Sequence, residues 1–205
     1  MTDFTTVKKN LESKRFRVSA FATAEEAADY LDRSIDGVSV GIGGSVTAEQ
    51  MGLYEKLSGH NRVFWHWRPE SAEDPRREAM TADMYITSVN GIAETGELIN
   101  IDGNGNRVAA MLFGPKKVLV FAGCNKIVRD IDDAAKRVKS CATPANAMRL
   151  NLDTPCTHGA CPGTDGELCA GCRSENRICA MYTVLARQRV KGRIHVILIG
   201  EEVGY

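Results

Sequence analysis

The chain has 205 residues, 43% apolar and 25% charged, enough for one large domain or a domain with a small appendage. Lys plus Arg and Asp plus Glu each number 26, so no net field draws the protein to nucleic acid or an anionic membrane. The opening MTDFTTVKKNLESKRFRV lacks the apolar core of a signal peptide, and no run nears the roughly 18–20 apolar residues that span a bilayer. A cytoplasmic location without a membrane span is the expectation.

Residues 4–13 read as a short polar helix leading into a strand at Phe16–Phe21. Thr23 and Glu26 form a capping box, in which the hydroxyl accepts from the backbone three residues on and the carboxylate reaches back. Ala27, Tyr30, Leu31 and Ile35 follow at helical spacing, and Asp36-Gly37 stops the helix. Val38–Ile42 is a short apolar strand ending in Gly43-Gly44-Ser45-Val46-Thr47, with Thr47 and Gln50 suited to cap the next helix. Arg62–Trp67 is a strand closed by Arg68-Pro69, and a helix over about 72–80 precedes the strand Met84–Val89. Ile92–Ile101 holds a turn at 94–97 and a short strand, and Asp102–Asn106 is a second turn. Arg107–Phe113 is helical up to Gly114-Pro115. Lys117–Ala122 is a buried strand, Val128, Ile131, Ala135 and Val138 mark an amphipathic helix, and Pro144–Leu150 forms a second helical piece. Arg193–Ile199 is the last strand.

Alternating strands and helices, with several strands apolar throughout, predict an α/β domain with a mostly parallel sheet flanked by helices. Four strands end alike, in Gly43-Gly44, Asn90-Gly91, Gly123-Cys124 and Gly200-Glu201. The carboxyl ends of parallel strands are where open α/β sheets bind ligands.

Between the last helix and the last strand lies a Gly- and Pro-rich insertion, residues 153–179. It carries Cys156, Cys161, Cys169, Cys172 and Cys179 in the spacing C-x4-C-x7-C-x2-C-x6-C. With so few apolar side chains, its loops need a cross-link of some kind, either disulfides or a metal. In a reducing compartment, and with seven cysteines in the chain, metal is favoured. Cys169 and Cys172 form the tight C-x2-C pair; His158 is an alternative ligand, and reversible closure of Cys169 and Cys172 to a disulfide is the redox-sensor alternative.

The loop at Gly43, Gly44, Ser45 and Thr47 sits between a strand and a helix start, where backbone N–H groups suit phosphate or carboxylate. It matches neither the Walker pattern nor the dinucleotide fingerprint. Asn90, Glu94 and Lys126 each follow a strand end; Glu94 suits a nucleophile or base, and Lys126 suits an anionic substrate. Each of these alone also reads as a solvated loop residue. Cys124 reads equally as a small buried hydrophobe, and His66, between Trp65 and Trp67, as a surface or packing histidine.

Read together, GIGGSVTAEQ (41–50), DMYITSVNGIAETGELI (83–99), NRVAAMLFGPKKVLVFAGCNKIV (106–128), TPC (154–156), CAGCRSENRIC (169–179) and GRIHVILIGEEVGY (192–205) resemble the LUD-domain, or lactate utilisation, family. The resemblance runs from about residue 38, dividing the chain into N-terminal helices and strand (1–36) and a LUD-like domain (37–205). It implies a fold similar to CoA-transferases and sugar-phosphate isomerases, with the ligand over Gly43, Gly44, Ser45, Thr47, Asn90, Glu94 and Lys126. It also implies a role in oxidising lactate or related small acids beside iron–sulfur partner proteins. Cys156, Cys169, Cys172 and Cys179 match a cysteine block found in some members, and Cys161 is extra. The expected cofactor is therefore an iron–sulfur cluster, [4Fe–4S] with four thiolates, with zinc as the alternative.

The leading expectation is an accessory or electron-transfer subunit of a small 2-hydroxy-acid oxidation system, binding a small anionic metabolite. The alternative is a stand-alone transferase or isomerase in which Glu94 and Lys126 act and the cysteines hold structural zinc. Homo-oligomerisation is open under both.

Overall fold

Strands whose side chains are apolar on both faces must be covered on both faces. Lys117–Gly123 (β7) is buried at every position after Lys117, and Ile194–Ile199 (β10) is buried throughout. In the computed structural model, which describes residues 2–205, these two lie side by side in the interior of a six-stranded sheet. Its other strands are Arg17–Phe21 (β1), Ser39–Ile42 (β2), Arg62–Trp65 (β3) and Met84–Ser88 (β4). The order is β1-β10-β7-β4-β2-β3 and every pairing is parallel.

The period of two sorts the side chains into two cores. Val118, Val120, Val196 and Leu198 face Val7 and Leu11 of helix Thr5–Ser13 (α1), Ala79 of Pro75–Thr81 (α5), and Ala110 and Met111 of Asn106–Phe113 (α6). Leu119, Phe121, Ile197 and Ile199 face Ala27, Ala28 and Leu31 of Ala24–Ser34 (α2), with Ala48 of Val46–Gln50 (α3) and Leu53 and Leu57 of Leu53–Ser58 (α4). Each fully buried aliphatic side chain in these layers contributes about 1.5–3 kcal/mol. Residues 1–36, set apart in the sequence reading, supply α2 and the edge strand β1, paired from Arg17 to Phe21 with β10.

A second sheet lies beyond the carboxyl ends of the first. It runs β8-β5-β6-β9, from Ile127–Val128 (β8), Gly91–Ala93 (β5), Leu98–Asp102 (β6) and Met181–Leu185 (β9). The cysteine-rich insertion thus precedes β9, which pairs antiparallel with β6, rather than running directly into the final strand. Helix Ile131–Arg137 (α7) packs Ala134 and Ala135 against Ile99 and Ile101 of this sheet.

The sequence split the chain after α7 into two helical pieces. In the structure they are one helix, joined by a π-helical turn at Val138–Ala142 and continuing as Thr143–Arg149 (α8). Pro144 is the physical reason. It has no N–H to donate and its ring displaces the carbonyl four residues back, so the register widens ahead of it and Thr143 N–H bonds to Val138 carbonyl, five residues away. The Thr23 cap forms as expected, 3.1 Å from Glu26 N–H, with the Glu26 carboxylate reaching one residue further, to Ala22 N–H. Strand β3 ends at Trp65, where its carbonyl accepts from Arg68 N–H and its own N–H donates to Ser71 Oγ.

Candidate anion site at the strand ends

The order of strands reverses where β4 crosses to the far side of β2, and such a switch opens a crevice at the carboxyl ends. A cavity of about 480 Å³ lies there. Gly44, Ser45 and Thr47 reach it after β2, His66 and Trp67 after β3, Ser88 at the end of β4 and Asn90 beyond it, Lys126 after β7, and Gly204 and Tyr205 after β10. Asp102 and Arg107 arrive from the small sheet and α6, and Ala142, Thr143, Asn146 and Arg149 from the long helix.

Lys126 forms the floor. It is 2% exposed, and Nζ donates to Thr47 Oγ1 at 3.0 Å. Burial, then the positive Arg137 and Arg107 side chains, push its pKa down to about 7. Thr47 therefore serves as the partner of this amine. The cap of α3 is Ser45, whose Oγ accepts from Ala48 N–H at 3.1 Å, and Gln50 instead accepts from Gly204 N–H.

Arg107 is buried and bonded on nearly every side: to Ser88 carbonyl at 3.0 Å, to Asn100 Oδ1 and Asn90 Oδ1 at 2.9 Å, and to Ile101 carbonyl. It ties the ends of β4 and β6 together and fixes Asn90, whose carbonyl also accepts from Arg137 at 2.6 Å. Asp102 stands 4.0 Å from Arg107, and its carboxylate is already taken by the N–H groups of Gly105 and Val108 at the start of α6. At the rim, Arg149 lies 4.6 Å above the Trp67 ring and donates to Asn146 Oδ1 and Tyr205 hydroxyl. Burial together with Arg76 and Arg149 depresses the His66 pKa, so the imidazole there is neutral. Thr143 Oγ1 is buried at the cavity wall without a hydrogen-bond partner. The charged walls are thus Arg76, Arg107, Lys126 and Arg149 against Asp102 alone, in a chain whose total charge is zero. Such a wall attracts a small anion.

Of the residues singled out in the sequence, Gly44, Ser45, Thr47, Asn90 and Lys126 come together here. Gly43 is buried beside them with a packing role: a Cβ would meet Tyr85 hydroxyl at 2.5 Å, and its carbonyl accepts from Trp65 Nε1. Glu94 is exposed at the β5–β6 turn, its backbone bonded to Val128 and Asn10, and does not line the cavity. Arg107, Thr143 and Arg149 escaped the sequence reading, and His66, read there as a surface or packing histidine, lines the cavity. The one signal for Arg107 was its place on the apolar stripe of α6, with Ala110 and Met111.

The cysteine segment packs beside the π turn. Lys139, fully buried, donates to Ala170 carbonyl at 3.0 Å and Tyr182 hydroxyl at 3.1 Å, and Arg177 donates to the Cys172 and Cys179 carbonyls. Cys179 is buried while Cys169 is exposed, and all seven cysteines are free thiols. Among the described residues no three His, Cys, Asp or Glu side chains converge on a point where a metal ion would sit. In this arrangement Cys156, Cys169, Cys172 and Cys179 are therefore not gathered as a four-thiolate set.

The parallel sheet and the cation-lined crevice at its switch point define the class of protein, an α/β fold with its crevice at the strand ends. The family model of the LUD domain matches residues 5–199, and the chain belongs to that family, which is associated with lactate utilisation. Among solved structures it is similar to a DUF162 family protein from Deinococcus radiodurans, at 14% identity and a TM-score of 0.53 over 98% of this chain and 100% of that one. That likeness establishes the fold. A search of curated proteins found no match. Among the described residues no helix is long and apolar enough to cross a membrane.

Proposed function

We propose that the protein binds a small carboxylate metabolite of the lactate type in the strand-end cavity and serves as an accessory subunit of a 2-hydroxy-acid oxidation system. The observation that carries this is Lys126, a buried amine at the cavity floor whose hydrogen bond goes to a hydroxyl instead of a carboxylate. Charge complementarity there is left for a ligand to supply. Thr143 Oγ1, unpartnered in the wall, adds a donor of the right kind. Glu94 lies outside the cavity, which favours binding over a paired Glu94–Lys126 catalytic centre. The iron–sulfur centre and its zinc alternative rest on cysteine spacing, and no step of this function runs through either.

Calorimetric titration with lactate, pyruvate and inorganic phosphate tests the reading. A carboxylate is expected to bind, and Lys126→Met to weaken it by about tenfold or more, the worth of a charged hydrogen bond. The same change removes a buried charge, so the variant should melt no lower than the parent. Equal affinity in parent and variant, or no binding of any carboxylate, would reject the site.

A further inference from the structure

An amine is a nucleophile only when it is unprotonated, and lysine reaches that state by burial beside other cations. Lys126 is placed in that way. It is 2% exposed, has Arg107 and Arg137 as charged neighbours, and gives onto a cavity large enough for a metabolite. We propose that Lys126 forms an imine with the carbonyl of a small 2-oxo carboxylate held in this cavity, an inference that rests on the carboxylate-binding reading above. A 2-oxo carboxylate carries its carbonyl next to its negative group. Held by its carboxylate in a cavity that Arg149, Thr143 and Lys126 all line, such a ligand brings its carbonyl carbon into the space the amine opens onto.

The chemistry closes with the groups present. The Nζ lone pair forms the C–N bond and the carbonyl π electrons move to oxygen. Both N–H protons leave with that oxygen as water, and a C=N bond remains. Thr47 Oγ1, 3.0 Å from Nζ, can pass the first proton from nitrogen to oxygen. His66, neutral in the same cavity, adds no competing positive charge.

The test is reductive trapping on the full chain. Pyruvate and sodium cyanoborohydride at near-neutral pH should give a single secondary-amine adduct. Peptide mapping should place it on Lys126, and excess lactate, which shares the carboxylate but has no carbonyl, should suppress it. Lys126→Met should abolish the adduct. Thr47→Val, which keeps the amine and removes its hydroxyl partner, should slow trapping by about tenfold or more. Adducts spread over surface lysines, or trapping indifferent to lactate, overturn the inference. So does the lack of a Lys126 adduct when calorimetry shows pyruvate bound, a result that leaves the binding reading standing. If neither pyruvate nor lactate binds and no adduct forms, both fail together.

Discussion

Burying the Lys126 ammonium beside two guanidinium groups destabilises the charged form, and the sign of that effect makes the residue a reporter of its ligand. Its folded pKa, about 7, lies below the ordinary lysine value of 10.5, so between the two the folded protein holds fewer protons than the unfolded chain. Stability from this group is therefore complete above the upper value and lost as pH falls toward the lower one. A carboxylate bound in the cavity adds a negative charge near the amine and so favours the ammonium. Binding of lactate at about pH 8 should then take up a proton, read as a dependence of the calorimetric heat on the buffer's ionisation enthalpy. The other groups facing this amine are Thr47, Arg107, Arg137 and Cys141, and Lys126→Met should abolish the dependence. A heat indifferent to buffer in the parent protein would place the carboxylate elsewhere. Gly44 offers a steric counterpart at the same scale. A Cβ there would stand 3.3 Å from the His66 ring, so Gly44→Val should push the imidazole into the cavity and weaken binding without unfolding the sheet. Binding to that variant at parental strength would show that the ligand avoids this wall.

At the scale of elements, the long helix from α7 to α8 shapes one wall of the cavity and also anchors the cysteine segment. The π turn ahead of Pro144 brings Ala142 and Thr143 to the cavity and lets Lys139 point the other way, onto the Ala170 carbonyl. Pro144 was plain in the sequence as a helix start; the widened turn before it was not, because a proline breaks or widens a helix according to what packs around it. Strand β9 was missed for a related reason. Met181–Leu185 is exposed or half-buried at four of its five positions, and its partner β6 lies about eighty residues back in the chain. Removing the buried ammonium with Lys139→Met leaves the Ala170 carbonyl and Tyr182 hydroxyl without that donor. Protease should then cut within 159–178 far faster, at an unchanged rate elsewhere, because the six-stranded sheet does not depend on this bond. Equal cleavage of parent and variant would mean that Arg177 and the chain around Cys179 hold the segment unaided.

For the molecule as a whole, burial pattern announced the parallel sheet. Unbroken apolar runs such as 118–122 suit a strand that is covered on both faces. The strand-end glycines likewise pointed to the ligand side. What could not be read was which loops meet there, since Arg107 and Arg149 come from helices that the tertiary fold alone carries to the crevice. The opposite end of the sheet carries a different charge problem. His195 on β10 is 6% exposed, bonded to Ser19 Oγ at 2.9 Å, and its pKa is pushed down to about 4 by burial and by Arg17. Tyr30 of α2 and Lys117 of β7 line the same hollow, and no carboxylate does. The folded protein thus carries this imidazole neutral while the unfolded chain protonates it below about 6.5. Its contribution is complete above that value and is lost as pH falls toward 4. The loss is at most about 3.5 kcal/mol, because each tenfold drop in proton affinity between 6.5 and about 4 is worth roughly 1.4 kcal/mol. Urea midpoints taken from neutrality down to about pH 4 should therefore fall more steeply for the parent than for His195→Gln, which keeps a polar partner for Ser19 and does not titrate. Carboxylates that lose their partners in acid act on both proteins alike, so the difference between the two curves isolates the histidine. Parallel curves would show that His195 accepts its proton without cost, by turning to solvent through the hollow between β10 and α2.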